Sequence, residues 1–128
     1  MSALSDRIFA TQDIPSELVH VDAWNIDIEV RGMTGAERTR IMDLAMTDDG
    51  EVKLQTVYPE IVISTAFDPA TGEQVFAPGD SPNLLAKSAL ALDALALVGM
   101  RLSGFTQEAA DKAGKDSSAT PTDGSSSN

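Results

Sequence analysis

The strict alternation of apolar and polar residues between Trp24 and Arg31 constrains the fold more than any other feature of the sequence. Apolar residues occupy the even positions of this segment and polar residues the odd ones. Because successive side chains of a strand point to opposite faces, this pattern predicts a β-strand with one buried face and one solvent-exposed face. The preceding run Glu17–Val21 is joined to it through Asp22 and Ala23. The two segments are predicted to form an antiparallel pair.

A helix is predicted to follow this pair. Thr34 and Glu37 have the spacing of a capping box, in which the hydroxyl and the carboxylate bind otherwise unpaired amides at a helix start. Three apolar residues then lie at helical spacing, and the helix is predicted to end at residues 48–50, which read Asp-Asp-Gly. The apolar residues are Ile41, Leu44 and Ala45.

The middle of the chain is open to two interpretations. Residues 61–63 (Ile-Val-Ile) and Phe67 precede a turn at Asp68–Gly72, and residues 74–76 (Gln-Val-Phe) follow it. Asp, Pro and Gly at these positions are typical of a tight turn with Gly72 in the left-handed region. The pattern predicts a second hairpin, whereas the alternative is that residues 58–67 are helical.

The back half of the chain is predicted to be helical. Residues 81–82 (Ser-Pro) are a favourable helix start, because proline lacks only an amide that would be unpaired there. Residues 84–102 are rich in Ala and Leu, the strongest helix formers, and predict one long helix. Gly104 is suited to a left-handed helix end, and Thr106 is predicted to cap a short last helix through residue 112.

Together these elements predict an α+β fold, in which a small antiparallel sheet from the N-terminal half packs against C-terminal helices. With 128 residues, of which 42% are hydrophobic, the chain can bury one core. Residues 115–128 contain no large apolar residue, so burial cannot offset the entropy lost on ordering them. We expect a single domain over residues 1–113 and a disordered polar tail over residues 114–128.

Composition argues against several classes of partner. Nine Lys and Arg against twenty Asp and Glu give a net charge of -11, which repels nucleic acid and anionic membrane surfaces. The sequence has no cysteine, which excludes disulfides and thiolate sites. It begins without the features of a signal peptide, and its most apolar stretch, Ala89–Met100, is interrupted by Asp93 and too short to span a bilayer. We expect the protein to stay where it is made.

A catalytic site finds little support. His20 is the single histidine, and Asp22 lies two residues further on, so the two could share one face of a strand in a small hydrolase. The sequence lacks the Gly-x-Ser-x-Gly motif that would supply a serine nucleophile. The carboxylates around Gly50 do not have the spacing of a calcium loop, and Gly114-Lys115 lacks the rest of a phosphate loop. We therefore expect no enzymatic activity, no cofactor and no metal site.

The predicted long helix carries two apolar stripes. The first consists of Leu85, Leu92, Leu95 and Leu102, with Val98 close to it, and the second of Leu90, Ala94 and Leu97. A helix that is apolar on most of its circumference is central to a core or packed on two sides, and this chain is short for the first arrangement. We predict an interface with another copy or with a client helix, formed by Leu90, Ala94, Leu97, Met100 and Arg101. The alternative is an Ala-rich helix whose exposed leucines have no partner.

Three passages also suggest a family. Residues 24–38 read WNIDIEVRGMTGAER, residues 67–76 read FDPATGEQVF, and residues 84–106 run from LLAKS to the helix end LSGFT. In this order they resemble a strand with a V-R-G-L-T-G-x-E-R turn into a helix, a D-P-E-T-G-E-P-L-F turn and an L-S-G-L-T helix end. These are features of the tail assembly chaperones of long-tailed bacteriophages, particularly those of phages of actinobacteria.

This resemblance implies an assembly factor of the host cytoplasm that is absent from the mature virion. Such chaperones coat the long helical tape measure protein and help to recruit tail tube protein around it. The resemblance also implies a longer form made by ribosomal frameshifting, for which Gly114-Lys115 is a candidate site. We expect a homo-oligomer, either a ring or a filament, because the helix has a second apolar face. The alternatives are a tail completion or connector subunit retained in the virion and, more remotely, the hydrolase.

Overall fold

A computed structural model describes residues 2–105 and confirms the α+β fold with a three-stranded antiparallel sheet. A 3₁₀ helix over Leu54–Val57 precedes the third α-helix. The other elements, in chain order, are α1 (Ala3–Ala10), β1 (Ser16–Val21), β2 (Ile26–Arg31), α2 (Gly35–Ala45), α3 (Tyr58–Thr65), β3 (Ala66–Phe67), α4 (Ser81–Leu85) and α5 (Ala89–Leu102).

The predicted antiparallel pair is confirmed by β1 and β2, in which Val19 lies opposite Ile28. The pair differs from the prediction at its turn, because Trp24 belongs to the turn and β2 begins two residues later. Asn25 has a φ of 52°, a left-handed conformation that Asn tolerates better than most residues. β3 extends the sheet for only two residues, with Ala66 opposite Val30.

The predicted capping box begins α2. The Glu37 N–H donates to the Thr34 hydroxyl (3.2 Å), and the Thr34 N–H donates to the Glu37 carboxylate (3.1 Å). Of the predicted apolar stripe, Ile41 and Ala45 are buried, whereas Leu44 is half exposed. The buried stripe of α2 is therefore narrower than the spacing suggested.

The second predicted hairpin forms only next to its turn, where Phe67 pairs antiparallel with Gln74. Its predicted first arm at residues 61–63 is wrong, and the helical alternative is confirmed for residues 58–65, which form α3. Ile61 and its neighbours through Thr65 are all buried. The sequence of α3 therefore lacks the helical periodicity of apolar and polar residues that an exposed face would produce. The predicted turn after Phe67 is nevertheless present. The Gly72 N–H donates to the Asp68 carbonyl (2.7 Å), and Gly72 has a φ of 77°.

The predicted single helix over residues 84–102 is also wrong, because the chain breaks between α4 and α5. The Lys87 N–H donates to the Leu84 carbonyl (3.0 Å), a tight bond that closes α4. The Ser88 hydroxyl then accepts from the Ala91 N–H (3.3 Å) and caps a new helix. The start of α4 lies one residue earlier than predicted, since Asp80 takes the capping position and Ser81 is already helical.

The centre of the core is the crossing of α3 and α5. A Cβ placed on Gly99 would lie 2.8 Å from the Thr65 hydroxyl oxygen and 3.3 Å from Ile61 Cγ2. The missing side chain of Gly99 therefore allows the two helices to approach closely. The Thr65 hydroxyl donates to the Ile61 carbonyl (2.8 Å), so this buried polar group has a partner.

The predicted end of α5 is confirmed. Gly104 has a φ of 82°, and the Phe105 N–H donates to the Met100 carbonyl (2.8 Å). The Gly104 N–H donates to the Arg101 carbonyl (3.2 Å), which completes a Schellman motif. Phe105 is buried against the core. The predicted last helix over residues 106–112 and the predicted tail lie outside the described residues.

The three passages that suggested a family meet in space around residues 31–33. A Cβ on Gly32 would lie 2.7 Å from the Leu102 carbonyl oxygen, so the backbone just after β2 lies close to the end of α5. The Met33 N–H donates to the Ser103 hydroxyl (2.8 Å). The Arg31 guanidinium lies 4.1 Å from the centre of the Phe67 ring, next to the turn that follows β3. The end of β2, the turn after β3 and the end of α5 therefore contact one another.

Candidate protein-binding surfaces

The outer face of α5, formed by Leu90, Ala94, Leu97 and Arg101, lies on the surface of the domain. These residues repeat at helical spacing and point away from the core. Leu90 is 81% exposed and Leu97 is 53% exposed. Folding of this chain alone therefore leaves two large apolar side chains of one helix face in solvent.

Met100 differs from the other residues predicted for this interface. It is 6% exposed and belongs to the core. A rotation of about 100° per residue separates it from Arg101 and turns it toward Ala96 and Gly99, which are both buried. Met100 is therefore not part of the exposed face.

Arg101 connects the outer face of α5 to the sheet. Its guanidinium lies 2.6 Å from the Glu17 carboxylate on β1, and both side chains are partly exposed. Exposed ion pairs contribute little to stability, so this contact orients Arg101 more than it stabilises the fold. The first apolar stripe is buried at its centre, since Leu92 and Leu95 belong to the core.

A second exposed apolar surface was not predicted: the N-terminal helix α1, in which no residue is buried. Leu4 is 61% exposed, and Ile8, one turn later, is 55% exposed. Arg7 lies beside them at helical spacing, and Phe9 projects from the flank with 77% exposure. The sequence carries signals for this helix, namely a serine before it and apolar residues one turn apart. In the structure, Ser2 caps the helix by accepting from the Ser5 N–H (3.0 Å).

A groove of about 650 Å³ was also not predicted. It lies beside the start of β2, on the side where the short β3 leaves β2 unpaired. Three carboxylates, Asp27, Asp68 and Asp80, and one Lys87 stand among its polar lining residues. Its apolar lining consists of Trp24, Ile26, Ile28, Val75, Phe76 and Leu84. Because these residues come from three separate segments, no local pattern reveals the groove.

The proposed hydrolase residues form a surface cluster. His20 Nδ1 lies 2.7 Å from an Asp27 carboxylate oxygen across the hairpin, and His20 Nε2 lies 3.6 Å from an oxygen of Asp22. The side chains of all three are half exposed or more. Asp27 was not predicted as a partner, although it lies directly opposite His20 in the strand register.

The carboxylates around Gly50 form an ordinary turn. The Thr47 hydroxyl donates to the Asp49 carboxylate and holds the pKa of that carboxyl below its usual value. Residues 2–105 contain no group of three or more acidic or histidine side chains able to hold a metal ion. Every helix in the same part of the chain is too short or too polar to cross a lipid bilayer.

Comparison with known proteins gives a fold and no sequence match. No protein-family model matches the chain, and no curated protein matches it. Among solved structures, the tail assembly chaperone of bacteriophage HK97 matches with a TM-score of 0.55 and 13% sequence identity. The match covers 83% of this chain and 99% of the HK97 chain. The chain therefore has the fold of a phage tail assembly chaperone over nearly all of that protein.

Proposed function

We propose that this protein is a tail assembly chaperone of a long-tailed bacteriophage, and that it binds the tape measure protein and helps to recruit tail tube subunits. The observation that carries the proposal is the fold shared with the HK97 tail assembly chaperone over 99% of that chain. The sequence passages at residues 24–38, 67–76 and 84–106 support it independently, because they resemble the same family and contact one another in the fold.

The client-binding surface in this proposal is the outer face of α5. A tape measure protein is long and helical, and its apolar faces are open to association until the tail tube encloses them. The exposed Leu90 and Leu97 can pack against such a face as one helix packs on another. Ala94 lies between them and is small enough to let the two helix backbones approach.

The acidic composition suits the same role. A net charge of -11 makes coated complexes repel one another, which keeps them in solution while the apolar client is covered. The chaperone acts in the host cytoplasm in this proposal and leaves before the virion is complete. Copies of the chain bind one another along the tape measure protein as a ring or filament.

Co-expression with the long helical protein encoded just downstream tests this proposal. We expect that protein to be soluble and to co-purify only when this chain is present. Leu90→Asp and Leu97→Asp should each abolish the rescue, because a carboxylate would be buried in an apolar contact. Leu44→Asp is the matched control, since Leu44 is a similarly exposed leucine on α2. Circular dichroism of each variant checks that the fold is retained.

The outcomes separate the two parts of the proposal. If the partner stays insoluble or does not co-purify with the wild-type chain, the chaperone role is wrong. Mass spectrometry of purified virions would then test the alternative, a tail completion or connector subunit. If all three variants rescue equally, the role stands and the outer face of α5 is not the client site.

The longer form of the protein is a separate part of the proposal. We propose a ribosomal frameshift near the codons of Gly114 and Lys115, which can be encoded by a slippery GGA-AAA-type run. Mass spectrometry of infected cells should find a longer product whose peptides diverge from this sequence near those residues. A nucleotide sequence without a slippery heptamer in this region would contradict the frameshift and leave the chaperone role unaffected.

A further inference from the structure

The helix α1 has an apolar side without a partner inside the described part of its own chain. Leu4 and Ile8 are more than half exposed although they lie one turn apart on the same side. Isolated helices of this length are marginal in water, so α1 gains most of its stability from whatever covers that side. Residues 11–15 link α1 to β1. The Gly32 N–H donates to the Pro15 carbonyl (2.9 Å), which fixes the end of this linker at the open end of the hairpin.

The groove beside β2 lies toward the other end of the hairpin, near the turn. It is lined by large apolar side chains, and Trp24 stands in its wall only partly buried. Residues 106–128 include no large apolar residue, so that segment does not offer the side chains that such a groove accepts. The helix α1 does offer them, since Leu4, Ile8 and Phe9 are exposed within one short helix, and no α1 residue lines the groove of its own chain.

The charges of the two surfaces also favour a contact between α1 and the groove. The Asp27 carboxylate is paired with His20, so the groove offers the carboxylates of Asp68 and Asp80 beside one Lys, whereas the apolar side of α1 carries the cation Arg7. A symmetric contact between two grooves would bring the carboxylates of both copies together, against a net charge of -11 on each chain. A contact between α1 and the groove brings Arg7 to those carboxylates instead.

We propose that α1 of one copy docks in the groove of a second copy, with Leu4 and Ile8 against Trp24 and Val75. The surfaces that meet are different, so the contact is heterologous and repeats from copy to copy into a ring or an open helical chain. This inference names the surfaces of the self-association proposed above and rests on that proposal for its biological setting. Client binding uses a different surface, the outer face of α5.

Two variants of the full chain test the contact. Ile8→Asp places a carboxylate on the docking helix, and Val75→Asp places one in the groove. Both side chains are 43% exposed or more, so neither change is expected to unfold the domain. Leu44→Asp adds the same charge on an exposed leucine of α2, outside α1 and the groove lining, and serves as the control. Sedimentation velocity over a wide concentration range measures the assembly of each protein.

We expect the wild type and Leu44→Asp to form larger species as concentration rises. Ile8→Asp and Val75→Asp should each weaken self-association roughly tenfold or more, because an acidic side chain enters an apolar contact beside other carboxylates. An equimolar mixture of the two should form dimers that grow no further, because one intact α1 meets one intact groove. Trp24, the single tryptophan, should then shift its emission to shorter wavelength.

Arg7→Glu gives a second test that leaves the apolar contact intact. It should weaken self-association at low salt, and added salt should partly restore it, because salt screens the new repulsion between Glu and the carboxylates of the groove. A wild type that stays monomeric would overturn the inference, whether α1 folds onto its own groove or a client occupies it. A mixture of Ile8→Asp and Val75→Asp that stays monomeric would overturn it as well. Either result would leave the co-expression test of client binding unaffected.

Discussion

The helices α1 and α3 are both eight residues long, yet one lies outside the core and the other inside it. No residue of α1 is buried, whereas six residues of α3 are. α1 has a side-chain cap and an apolar stripe, the usual signals of a surface helix. α3 begins without a side-chain cap and has apolar residues on all sides. The local signals are therefore stronger in α1, which contributes least to the core, whereas α3 owes its helical structure to tertiary packing.

The largest difference between the two helices should appear on truncation of a central isoleucine. Ile61 on α3 is fully buried, so Ile61→Ala should lower the free energy of unfolding by about 2–5 kcal/mol. Ile8→Ala on α1 should change it by less than about 0.5 kcal/mol, because Ile8 is already exposed. Urea unfolding at low protein concentration measures both. Equal losses would mean that α1 packs on the core in the monomer.

A smaller effect is expected where α3 meets α5. Gly99→Ala places a methyl group 2.8 Å from the Thr65 hydroxyl oxygen and should cost about 1–3 kcal/mol of stability. Replacing Thr65 by Ala in the same chain removes the clashing atoms, so the double variant should recover part of the loss. Gly35→Ala is the control, since nothing lies within 4 Å of its added Cβ. Strictly additive losses for Gly99 and Thr65 would contradict the close approach.

The smallest effects concern the two helix caps. Thr34→Ala should lower global stability by about 1 kcal/mol, because α2 packs on the core and unfolds with it. Ser2→Ala removes an equivalent cap from α1 and should leave the urea midpoint unchanged. It should instead speed amide hydrogen exchange at Ser5, whose N–H loses its acceptor. A lowered midpoint in Ser2→Ala would show that α1 and the core unfold together.

Much of the fold was predictable wherever a local pattern has one physical meaning. The alternation that ends at Arg31 predicts the sheet, and the pair Thr34 and Glu37 predicts the start of α2. Gly72 and Gly104 both take the left-handed conformation expected of them. In each case the signal depends on neighbouring residues alone.

One error lies where distant contacts decide the structure, and another where a single local signal is easily missed. The β-branched run at residues 61–63 favours a strand locally, but α3 is covered on all sides and packing overrides that preference. The break between α4 and α5 depends on one serine cap within a segment rich in helix formers. The composition of that segment offers nothing to place the break.

The candidate surfaces show the same division. Helical periodicity predicted Leu90 and Leu97 as one face, and both are exposed. It also assigned Met100 to that face, although Met100 is buried. The borders of an exposed stripe depend on which elements pack beside the helix, and periodicity alone does not give those. The groove joins the start of β2 to residues that begin forty positions later in the sequence, so only the folded chain reveals it.

The hydrogen bond between the Met33 N–H and the Ser103 hydroxyl has a consequence for folding kinetics. It joins residues 70 positions apart, so the chain closes a long loop before β2 and α5 meet. Until α5 is in place, the inner residues of the hairpin, such as Ile28 and Val30, lack the helix that makes most of the contacts with their strands. A nascent chain that still lacks α5 therefore exposes the apolar inner face of the hairpin to association with other chains. Its folding is completed only when α5, the last described helix, has been synthesised.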